Sequence, residues 1–172
     1  MKLHLIDWKA DLVEAWKKAF AGKKEVTVAH GDILEVAENS IVSPANSYGH
    51  MDGGIDEAYF RHFGQEMQDR VYQAIAARPE GLLPVGASLV VRTGDSKVPY
   101  LIVAPTMEIP EAVPALHAYR AMRAVLRVAA KRADIIRDIY CPGLATGVGR
   151  VPVEEAAEEM ARAYRDHLAA GQ

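Results

Sequence analysis

The chain has 172 residues, half of them apolar and 25% charged, an ordinary globular composition that excludes a disordered or collagen-like chain. At that length roughly 70% of the unfolded chain's surface can be buried, so residues 1–172 are expected to form a single domain. Lys and Arg total 20 against 23 Asp and Glu, a net charge of −3, which argues against general nucleic-acid binding because no bulk positive field is present.

Leu3–Ile6 alternates like a short strand, after which Leu12, Val13, Ala15, Trp16 and Phe20 recur at helical spacing up to a stop at Gly22. Val26–Ala29 and Ser40–Ser43 are short apolar or β-branched runs ending at polar loops. From Ile55 to Ile75 the apolar positions follow a helical period, with Gly64 as a break; Tyr59, Phe60, Phe63, Met67 and Tyr72 on that period are expected in the core. Ser88–Arg92 and Tyr100–Ala104 read as a strand pair around a turn at Gly94-Asp95. A helix through Leu116, Tyr119, Met122 and Val125, a strand at Ile135–Tyr140, a loop at Cys141–Pro152 and a helix at Val153–Ala169 complete the order β-α-β-β-α-β-β-α-β-α. The implied fold is α/β: a mixed, mostly parallel six-stranded sheet with helices on both faces.

No apolar run reaches the roughly 18 residues a membrane helix needs, and Asp7 and Asp11 fall where a signal peptide keeps its apolar core. No membrane partner is expected. The lone Cys141 can make neither an internal disulfide nor a multi-thiolate metal site, which fits a reducing cytoplasm.

Three segments join a strand end to polar or glycine residues with little apolar content: Gly31-Asp32-Ile33, Ser43–Asp56 and Gly143–Pro152. A parallel sheet gathers such loops along one edge, where ligands bind. Glycines there let backbone N–H groups approach an anion, and a helix that follows adds the positive end of its dipole. Gly53-Gly54 and Gly147 with Gly149 therefore suit a diphosphate gripped from two sides. Neither a Walker A loop nor a Gly-x-Gly-x-x-Gly after the first strand occurs, which removes ATPase and nicotinamide dehydrogenase readings.

Gly31-Asp32-Ile33, then Ser43-Pro44-Ala45-Asn46 with Gly53-Gly54-Ile55-Asp56, then Gly143-Leu144-Ala145-Thr146-Gly147-Val148-Gly149 with Pro152 resemble the macro domain family of ADP-ribose-binding modules. The resemblance implies that Asp32 recognises the adenine amine, that Asn46, Gly53, Gly54 and Asp56 hold the distal ribose, and that Thr146, Gly147 and Val148 hold the diphosphate. Ile33, Ile55 and Gly149 complete the implied contacts. The ten positions from Asn46 to Asp56 match the hydrolytic members of the family, which implies that Asp56 acts at the anomeric carbon while Asn46 positions the ribose. Ser43 stands in place of the family's first asparagine, Met51-Asp52 in place of glycines, and Gly149 where many members carry a phenylalanine. The distal-ribose pocket is expected to be shaped differently, and no adenine-stacking residue carries over.

The implied function is ADP-ribose binding with hydrolysis of ADP-ribosyl esters on proteins or of a related ADP-ribose ester, and the implied partner is ADP-ribose or an ADP-ribosylated protein. No cofactor or metal is called for. A non-catalytic ADP-ribose reader and a diverged macro fold binding another nucleotide or RNA are the rival readings. Other residues have plainer roles: His50 as an exposed loop histidine, Cys141 as a buried thiol, and Glu154, Glu155, Glu158 and Glu159 as solvated helix carboxylates.

Overall fold

The computed structural model describes residues 1–171. Strands β1 (Lys2–Asp7), β2 (Val26–His30), β3 (Ser40–Ser43), β4 (Leu89–Arg92), β5 (Tyr100–Val103) and β6 (Asp138–Cys141) alternate with helices α1 (Ala10–Ala19), α2 (Ile33–Val36), α3 (Gly54–Phe63), α4 (Gln65–Ala76), α5 (Leu116–Lys131) and α6 (Val153–Ala170). The strands form one sheet in the order β2-β1-β6-β3-β5-β4. Neighbours run parallel except β4, which pairs antiparallel with β5. The expected mixed six-stranded sheet is what the chain forms.

Alternation along the strands divides the core into two layers. Leu3, Leu5, Val42, Ile102 and Ile139 face α1, α5 and α6, where Trp16, Met122, Val125 and Met160 are buried. Ile6, Ile41, Leu101 and Val103 face the other way, against Ile33 of α2, Tyr59 of α3, and Met67, Val71 and Ile75 of α4. The runs of Ala in α5 and α6, such as Ala118, Ala121, Ala156 and Ala163, are fully buried and let those two helices approach closely.

Two expectations are corrected and one holds. The chain forms a one-turn helix, α2, directly after Asp32, whose carboxylate accepts from the Leu34 N–H at 2.9 Å; four residues are too few to show a period. The expected break at Gly64 divides the long segment after Ile55 into α3 and α4, Gly64 taking φ 86°. The last strand starts at Asp138 rather than Ile135. Asn39, at φ 62°, accepts through its side chain from the Arg137 and Asp138 N–H groups and donates to the Ile135 carbonyl, which holds Ile135–Arg137 outside the strand, after the turn at 132–135. Ile136 is apolar because it is core, 1% exposed, and not because it is strand.

Candidate functional site

The C-terminal ends of the parallel strands share one edge of the sheet, and their loops enclose a cleft of about 420 Å³, within the range of small-molecule sites. All eleven residues singled out in the sequence line it: Asp32, Ile33, Asn46, Gly53, Gly54, Ile55, Asp56, Thr146, Gly147, Val148 and Gly149. The loops after β1 and β5 add Asp7, Trp8, Lys9, Thr106, Met107 and Pro110. Five strand ends therefore contribute, against the three expected from sequence.

On one side the chain from β3 into α3 is held by its own side chains. Asn46 accepts from the Tyr48 and His50 N–H groups at 3.1 and 3.3 Å and donates to the His50 carbonyl at 3.3 Å. Gln68 reaches from α4, accepting from the Met51 N–H at 3.1 Å and donating to the Gly49 carbonyl at 2.9 Å. Gly49 takes φ +75°, and a Cβ there would lie 2.6 Å from Ile75, so the loop is pressed onto α4. The residue in the family's asparagine position, Ser43, is fully buried and donates its hydroxyl to Asp56 at 2.5 Å.

Asp56 sits in the first turn of α3 and is 7% exposed. Burial pushes its carboxyl up to about 7, the Ser43 hydrogen bond opposes the rise, and the Asp52 charge adds to it. A carboxyl that titrates near neutrality in a cleft can take and return a proton.

The opposite side turns on its own backbone and is tied down by two side chains, Asp7 and Lys9. Asp7, at the end of β1, accepts from the Lys9 and Gly143 N–H groups, both at 2.9 Å, and so ties the start of α1 to the loop after β6. That loop turns on Ala145 at φ 62° and Arg150 at φ 55°, closed by Arg150 N–H to the Gly147 carbonyl and Val151 N–H to the Ala145 carbonyl. Lys9 donates its ammonium to the Thr146 carbonyl at 2.6 Å. A Cβ on Gly147 would meet nothing within 4 Å, whereas one on Gly149 would lie 2.7 Å from the Ala145 carbonyl oxygen. Gly149 accordingly has no room for the phenylalanine that many family members carry.

At the β2 end Asp32 caps α2 and lines the cleft beside Trp8. Trp8 is 64% exposed, yet its backbone carbonyl is bonded to His30 at 2.9 Å and its ring meets the His30 ring edge-on at 6.2 Å. Nothing local in the sequence marks Trp8, an aromatic just after a strand, as cleft-lining. Tyr72 corrects another expectation: it is 39% exposed rather than core, and its hydroxyl lies 3.0 Å from Nδ1 of His50. His50 is exposed as expected but lines the cleft. Cys141 is fully buried, and burial with the nearby Asp7 pushes its thiol up, away from nucleophilic use.

The chain resembles known proteins along most of its length. It is 37% identical to an uncharacterized protein of Aquifex aeolicus over 82% of this chain and 81% of that one. It is 30% identical to a macro domain-containing protein of Cupriavidus necator over 86% and 84%. Among solved structures it superposes on the macrodomain of Mycobacterium tuberculosis DarG with a TM-score of 0.70 at 22% identity, covering 81% of this chain and 90% of that one. A variant of the Oceanobacillus iheyensis macrodomain with ADPR gives 0.69 at 20% identity, covering 79% and 74%. The macro domain model matches residues 42–160, and the chain belongs to the macro domain family.

Proposed function

We propose that this cleft binds ADP-ribose and that the protein hydrolyses ADP-ribosyl esters on acidic side chains of proteins, residues 1–172 acting as one unit. The observation that carries the reading is a buried carboxyl, Asp56, titrating near neutrality in the same cleft as two glycine loops that suit a diphosphate. The ADPR held by the Oceanobacillus macrodomain supports the ligand class. In this reading Asp32 takes the adenine amine and Trp8 lies against the ring. The diphosphate runs along Thr146–Gly149 and the first turn of α3, where unpaired backbone N–H groups and the helix dipole favour anions.

The distal ribose then lies between Asn46 and Asp56. Asp56 accepts a proton from water as the water oxygen bonds to the anomeric carbon, and the acceptor carboxylate departs with the electron pair of the broken bond. A base with a pKa near the working pH is the efficient one, and the Ser43 hydroxyl fixes the carboxyl in place. The lone buried thiol of Cys141 suits the reducing cytoplasm in which we place the reaction.

The test is release of ADP-ribose from a protein modified on glutamate. Wild-type protein releases it, and Asp56→Asn lowers the rate by roughly 10²–10⁴-fold while ADP-ribose affinity stays within a few-fold. A binding-only reading has one observation in its favour: the Asn46 amide is spent on the Tyr48 and His50 backbone rather than left for a ribose. Under that reading the wild-type protein binds ADP-ribose and releases nothing.

A further inference from the structure

The loop from Ser47 to Asp52 is held more firmly than its exposure requires. Asn46 bonds both the N–H and the carbonyl of His50, and Gln68 bonds the residues on either side of it. The result is an exposed histidine whose backbone is fixed in the lining of the cleft, on the loop that leads into Asp56. Its ring is fixed as well. Nδ1 lies 3.0 Å from the Tyr72 hydroxyl of α4, with the rings 5.7 Å apart at 69°. The Tyr48 ring lies nearly parallel to the His50 ring, at 6.3 Å and 21°. Burial, with Asp52 and Asp69, pushes the Tyr72 phenol up, so it stays neutral.

We propose that His50, oriented by Tyr72, is a general acid at the distal end of the cleft, and that it extends the reaction to ADP-ribosyl groups attached through an alcohol oxygen. The inference rests on the hydrolytic reading. A carboxylate leaves as a stable anion, since its conjugate acid has a pKa of about 4, and gains little from an acid. An alkoxide is as basic as hydroxide and must receive a proton as it leaves. With both ring nitrogens protonated, Nδ1–H donates to the Tyr72 oxygen and Nε2–H is left for the departing group. The water oxygen bonds to the anomeric carbon, the bond from that carbon to the alcohol oxygen breaks, and its electron pair stays on that oxygen. The oxygen takes the Nε2 proton, Asp56 takes a proton from the water, and solvent restores both groups.

The experiment compares serine-linked and glutamate-linked ADP-ribosyl peptides with wild-type, His50→Ala and Tyr72→Phe proteins, and measures free ADP-ribose affinity for each. Wild type is expected to release ADP-ribose from both peptides. His50→Ala lowers kcat on the serine-linked peptide by about 100-fold or more, at least about tenfold more than it lowers kcat on the glutamate-linked peptide. Tyr72→Phe lowers kcat on the serine-linked peptide by about tenfold with KM unchanged. The proposal is overturned if wild type spares the serine-linked peptide while cleaving the other, or if His50→Ala cleaves it at the wild-type rate. Binding of ADP-ribose with release from neither peptide overturns the hydrolytic reading itself.

Discussion

The segment Pro44–Asp56 is held by side chains of its own and of α4, whereas Gly143–Gly149 turns on its own backbone and is tied down by Asp7 and Lys9, and both line the same cleft. Asn46, Gln68 and the Ser43–Asp56 pair shape the first. Positive φ at Ala145 and Arg150, two backbone hydrogen bonds and the Asp7 contact to Gly143 shape the second. A backbone cradle presents fixed N–H dipoles to an anion and tolerates many side chains. A side-chain scaffold places titratable groups and depends on each of its members. In the proposed function the first loop carries the chemistry and the second the grip.

The sharpest way to separate the two is through the charge buried in the first. The Asp56 carboxyl titrates at about 7 in the folded protein against 3.8 as the ordinary value. Between those values the folded chain keeps a proton that the unfolded chain has released, so stability falls as pH rises through that window and levels off above it. At about 1.4 kcal/mol per unit the cost is on the order of a few kcal/mol. Melting curves across this window are expected to show Tm of the wild type dropping relative to Asp56→Asn; parallel curves would remove the buried carboxyl from the account.

The second loop is tested at Gly147, where a side chain has open space. Gly147→Glu is expected to melt like wild type and to weaken ADP-ribose binding by at least about 100-fold, or about 2.7 kcal/mol. Undiminished affinity in the folded variant would take the diphosphate off this loop. A smaller effect is expected at the clamp. Gln68→Ala leaves the Met51 N–H and the Gly49 carbonyl unpaired in a buried place, at a cost of about 1–3 kcal/mol in chemical denaturation. A loss confined to binding, with unchanged stability, would show that the clamp is not structural.

The same contrast explains what the sequence made legible. Glycines and Asp32 are readable because a turn, a close approach or a cap demands those residue types locally. The two faces of the sheet are readable because apolar residues alternate along the strands. Gln68 and Tyr72 are not, since each acts on a residue about twenty positions away, on a neighbouring element that only folding brings near. Trp8 escapes for the same reason, as does the role of Ser43, which looks like a lost asparagine until its hydroxyl is seen on Asp56. Ile135 and Ile136 mislead in the other direction, being apolar for the core and not for a strand.

The central claim is that the two loops together make an ADP-ribose site, and calorimetry with free ADP-ribose tests it most directly. The account predicts saturable one-to-one binding by the wild-type protein without added metal, and none by the folded Gly147→Glu variant. No binding heat at millimolar ADP-ribose, from wild-type protein that melts cooperatively, would contradict it.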